Sequence, residues 1–187
     1  MKTDGNNTIK TISHWQNFKF GLVIKSVCVG VISGLIVVAF RYALEEIGFF
    51  SKQVYAFLRN NNYYLCLWIP LLLVLAYIVG LIIIKEPMTK GSGIPQVEGV
   101  LLRQLDMNWW KVVLGKFVGG VLCIGAGLSL GREGPSIQLG AAMGQGFSKV
   151  FKRPKIEEKF LITGGASAGL AAAFNAPLAG MIFALEE

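Results

Sequence analysis

The stretch Gly131-Arg132-Glu133-Gly134-Pro135 places a carboxylate at the start of a helix. Proline close behind a glycine-flanked acid reads as a helix N-terminus, where backbone N–H groups lack partners and attract anions. A carboxylate tethered there can take an anion's place and later leave it, which is the chemistry of a gate. An ionisable group of this kind matters most when its surroundings are apolar, and here they are.

Of the 187 residues, 53% are hydrophobic and 16% charged, with 23 glycines. Mean hydropathy is +0.56. So little charge with so much apolar bulk points away from a soluble domain and toward an all-α, polytopic membrane protein. Tyr63 to Ile84 carries no charge, and it is long enough for a hydrocarbon core of about 30 Å. Pro70 is tolerated there because neighbouring helices re-satisfy the freed carbonyl.

Outward from that span, residues 1–17 read as an interfacial or cytoplasmic arm, with His14 and Trp15 as surface anchors. Residues 18–187 read as the transmembrane part. A long helical pattern runs from Phe20 to about Leu58. The first apolar run lies too far from the polar N-terminus to read as a cleavable signal. Gly91-Ser92-Gly93-Ile94-Pro95 is a second glycine loop feeding a helix start, and the helix to about Leu102 is too short to span. Such an element is re-entrant, allowed at membrane depth where it is buried in protein or lines a cavity.

Trp109 and Trp110 mark the boundary of the next span. Gly115 and Gly119, continued by Gly120, Gly125 and Gly127, predict a small-residue face for close helix packing, as does Gly165-x-x-x-Gly169. Phe160 to Leu185 is uncharged but interrupted at Asn175-Ala176-Pro177, which predicts two helices meeting at a break. Prolines at 95, 135 and 177, all in apolar territory, match the broken-helix construction of transporters.

The net charge of +7 does not point to nucleic acid, because the basic residues fall between spans. Lys149, Lys152, Arg153, Lys155 and Lys159 crowd one loop, which the positive-inside rule puts in the cytoplasm together with the N-terminus. Cys28, Cys66 and Cys123 have neither metal-ligand nor disulfide spacing and read as small buried packing residues. No metal site, cofactor motif or nucleophile–base pair is visible. The glycine run before Pro135 lacks the Lys-Ser/Thr of a phosphate loop, so an enzyme is not expected.

Chemically, the Ser92 hydroxyl can donate to a chloride while the N–H groups near Gly93 and Ile94 and the helix dipole add partial positive charge. No full cation is required, and weak, multi-site binding suits conduction. Arg132 has two readings that stay open, an anion ligand or a structural arginine paired with carbonyls or a carboxylate.

The two pentapeptides, with Phe174-Asn175-Ala176-Pro177-Leu178-Ala179-Gly180 downstream, resemble the CLC family of chloride channels and proton/chloride exchangers. The resemblance covers nearly the whole chain after the arm. It implies that Ser92, Gly93 and Ile94 bind chloride and that Glu133 is the external gating and proton glutamate. Gly131, Arg132, Gly134 and Pro135 then support the gate, and Glu187 is the internal proton glutamate that marks many exchangers. Ser92 rather than proline is similar to chloride-preferring members, and Arg132 argues against the fluoride-exporting branch. Gln96 stands where many relatives carry an acid.

The family's subunit has two inverted, related halves, of which this chain resembles the first. A later glycine-phenylalanine-proline helix start and a C-terminal tyrosine, which complete the family's anion site, fall outside it. The resemblance also implies a homodimer in a lipid bilayer, at the cell membrane, moving chloride against protons. The alternatives are a voltage- or pH-gated chloride channel of the same family, or a non-conducting half-length membrane fragment.

Overall fold

The computed structural model describes the backbone of residues 4–60 and 62–186, and side chains over 21–60 and 63–186. Glu187 and the side chains of His14 and Trp15 lie outside the described residues. The described chain is helical: α1 (Asp4–Asn60), α2 (Leu65–Lys85), α3 (Ile94–Leu101), α4 (Trp109–Gly125), α5 (Glu133–Val150), α6 (Lys155–Phe174) and α7 (Pro177–Glu186), with short 3₁₀ turns at Asn62–Tyr64 and Pro87–Thr89.

The expected breaks all appear. Helix α1 reaches further back than Phe20, because propagating a formed helix adds one hydrogen bond per residue fixed, even through polar sequence. Helix α2 passes through Pro70 without interruption. Short α3 is capped by Gly93 in the left-handed region at φ 102, where L side chains seldom go, and Pro95 sits in its first turn. Asn175, left-handed at φ 54, ends α6 before Pro177 opens α7.

Helices α5 and α6 form the most extensive pair and make the centre of the molecule. Their approach is backbone on backbone. A Cβ at Gly140 would collide with Gly165 O, at Gly144 with Leu161 O, and at Gly169 with Ser136 O. Only glycine lets helices come this close, which confirms the packing expected at Gly165 and Gly169 and supplies Gly140 and Gly144 as the other side. Around this pair, Val97, Met107, Val112, Ile137 and Ile162 form one core, and Val37, Phe40, Leu44 and Leu139 a second.

The face that begins at Gly115 and Gly119 packs closely as expected, with Gly119 as the exception. Nothing lies within 4 Å of a Cβ placed on Gly119. Gly115 packs on Thr89 and Ile82, Gly120 on Phe40, and Gly125 on Ile47, each too closely for a Cβ. Spacing alone does not say whether a small face meets a helix or borders a space, and Gly119 borders a space. The cysteines also correct the sequence reading: Cys28 and Cys66 are exposed and Cys123 is half-buried. Outward cysteines carry no penalty when the surrounding solvent is lipid, so apolar context did not imply burial.

Two polar ties span the core and set its ends. Lys25 on α1 pairs with the buried Glu157 at the start of α6 at 2.7 Å. At the opposite end, the Arg41 guanidinium donates to Ala172 O at 2.7 Å and to Asn175 Oδ1 at 2.8 Å, closing the C-terminus of α6. Lys149 donates to Met107 O at 3.0 Å, so the basic loop, the start of α4 and the start of α6 share the Lys25 end. The Glu133 terminus of α5 belongs to the other end.

Candidate anion site

Ser92 and Glu133, far apart in sequence, line one cavity of about 680 Å³. Its wall is mostly apolar, from Val79, Ile82 and Ile83 of α2, Gly115, Gly119 and Gly120 of α4, and Ile94 and Pro135 at the two helix starts. The N-termini of α3 and α5 therefore open on the same space, and their first-turn N–H groups have no helical acceptor. Ser136 N and Ser136 Oγ both turn back to Arg132 O, at 3.2 and 2.7 Å, which closes the first turn of α5 behind Glu133.

The glycines of the Glu133 motif have separate geometric duties. A Cβ on Gly131 would stand 2.8 Å from Glu133 Oε2, so its absence leaves the space over which the carboxylate folds back. A Cβ on Gly134 would stand 2.5 Å from Ser92 O, so its absence lets α5 touch the serine loop. Among the described residues, no hydrogen bond or ion pair holds either the Glu133 carboxylate or the Ser92 hydroxyl. The groups around them are tied while these two remain free to meet a ligand.

Gly93 sits behind the wall, fully enclosed, while Ser92 and Ile94 face the cavity. Arg132 does not line the space. Its guanidinium lies 3.9 Å from the exposed Glu45 carboxylate, which favours the structural reading of this arginine. Gln96 donates to Lys90 O at 2.9 Å and so braces the loop, a contact that an ionised acid in its place is unable to make.

Lys116 is the residue that sequence reasoning missed. It lines the cavity from α4, is only 5% exposed, and donates to Gly91 O at 2.7 Å and Thr89 O at 3.1 Å. Two carbonyls accept from this ammonium and, among the described residues, no carboxylate forms an ion pair with it. A cation in the middle of an apolar span, unlike Lys111 at its boundary, was the available signal.

Comparison with known proteins gives the lineage. A family model described as voltage gated chloride channel matches residues 72–187. The chain belongs to the voltage-gated chloride channel, or CLC, family. Relatives in this family include the H(+)/Cl(-) exchange transporter ClcA of Citrobacter koseri, 38% identical over 172 residues, covering 89% of this chain and 36% of that protein. The protein of the same name from Salmonella paratyphi B is 38% identical over 185 residues, covering 96% of this chain and 38% of its own. Among solved CLC structures, the crystal structure of a slow cyanobacterial Cl−/H+ antiporter superposes with a TM-score of 0.74 at 39% identity. That match covers 85% of this chain and 38% of the antiporter. The chain thus spans well under half the length of these CLC relatives and shares the fold of their N-terminal part. It is an integral membrane protein.

Proposed function

We propose that this chain supplies the first half of the anion pathway of a proton-coupled chloride antiporter. The observation that carries the reading is one cavity holding Ser92, two helix N-termini, the Lys116 ammonium and an unrestrained Glu133 carboxylate. Chloride sits at Ser92, with Ile94 on the wall and Gly93 shaping the turn. The hydroxyl donates to it while the helix termini and Lys116 add positive potential. Glu133, ionised, competes for the same potential. Protonated, it loses its claim on the site and leaves the pathway to chloride, so each exchange links an anion step to a proton step.

Glu187 is proposed as the internal proton glutamate because the family resemblance puts that residue at the second position of the Glu186-Glu187 pair, downstream of Phe174–Gly180. The membrane part is residues 18–187, with residues 1–17 as an arm. The Lys25 end of the bundle gathers the basic loop, which supports a cytoplasmic N-terminus in the cell membrane. The exposed apolar face of α7, with Leu178, Met181, Ile182 and Leu185, suits a homodimer contact.

The test is Glu133→Gln in the full-length protein reconstituted in liposomes. Chloride flux is expected to continue while chloride-driven proton uptake disappears. Unaltered proton uptake would remove Glu133 from the gate. Reversal potentials across a proton gradient separate antiport from a channel, since a channel shows no shift with pH. Absent flux in every preparation would favour the non-conducting reading.

A further inference from the structure

Gln138 lies one turn beyond Gly134 on α5, on the same helix face. Its side chain is 0% exposed, and its amide Nε2 donates to Met88 O at 2.7 Å, across fifty positions of sequence. That bond assigns the amide, because a carbonyl accepts only from the nitrogen. The Oε1 therefore turns toward Gly93, where a Cβ would stand 2.6 Å from it, and among the described residues it has no hydrogen-bond partner. A buried acceptor left unpaired is costly, and an apolar side chain of the same length would pack there without that cost.

The same face thus meets the serine loop twice, Gly134 against Ser92 O and Gln138 against Gly93. Lys116 holds the loop from its other side, at Thr89 O and Gly91 O. We infer that Gln138 is a positioning residue for the chloride site: it holds the Met88–Gly93 segment so that Gly93 keeps its left-handed turn and Ser92 faces the cavity. Removing the amide lets the segment sample other turns, and apparent affinity falls in proportion to the competent fraction. Because α5 also carries Glu133, the gate and the chloride loop rest on one rigid element.

The inference rests on the chloride reading of Ser92, and its test keeps the two apart. In full-length Glu133→Gln protein, chloride affinity is measured by titration calorimetry at roughly pH 4.5, where a buried carboxyl is protonated. Adding Gln138→Met, which keeps length and loses the donor, is expected to weaken chloride binding about tenfold. Adding Gln138→Glu is expected to retain affinity within about twofold, since its protonated carboxyl still donates to Met88 O. A role in packing alone predicts no such split between the two at matched thermal stability.

Equal affinity of both variants to the parent overturns the inference, as does equal loss in both. Failure of both variants to fold, with Gln138→Asn also failing, assigns the residue to the core and overturns it too. A parent that binds no chloride removes the underlying reading itself.

Discussion

Helices α2 and α5 invert the usual relation between composition and burial. Helix α2, Leu65–Lys85, carries no charge before its last residue, yet none of its residues is buried. Helix α5, Glu133–Val150, is rich in glycine, alanine, serine and glutamine, and Ser136 through Ala142 are all buried. In lipid the outer solvent is as apolar as leucine, so hydrophobicity does not select the interior. Small size does, because van der Waals packing rewards close backbones. Polar side chains inside then mark where the molecule needs hydrogen bonds.

The comparison breaks most severely if close approach is denied. Gly165→Leu drives a side chain into the Gly140 carbonyl, and the expected cost exceeds about 3 kcal/mol, read as loss of monodisperse protein in detergent. A well-folded Gly165→Leu protein would show that α5 and α6 are not the centre. A smaller effect follows at the cavity. Lys116→Met leaves Thr89 O and Gly91 O without their donor, which costs about 1–3 kcal/mol in thermal unfolding. Loss of its field weakens chloride binding in the same protein about tenfold. Unchanged binding would confine Lys116 to bracing the loop.

The smallest effect belongs to α2. Leu67, 71% exposed, is expected to tolerate alanine within about 0.5 kcal/mol. A large loss on Leu67→Ala would mean that this face is covered by protein, and would sharpen the contrast by moving α2 inward.

Much of this contrast is legible in the amino-acid sequence. The uncharged span Tyr63–Ile84, the breaks at Pro95 and Pro177, and the helix start at Glu133 follow from local rules of length, charge and proline geometry. The direction each face points did not. Gly115-x-x-x-Gly119 and Gly165-x-x-x-Gly169 are equivalent in spacing, yet Gly119 borders a cavity while Gly165 and Gly169 both meet another helix. Cys28 and Cys66 were expected inside and lie outside. Lys116 stands among apolar neighbours, where an intramembrane cation is itself a signal.

By itself the sequence determined the helices, their interruptions and the chemistry of two glycine loops, because these depend on backbone conformation within a few residues. It also carried the family resemblance. Only the tertiary structure brought Ser92 to Glu133 across a shared cavity, set Lys116 beside them, and turned Gln138 against Gly93. Those relations depend on how closely α3, α4 and α5 approach. That distance is decided by which small residues face one another, and no local pattern encodes it.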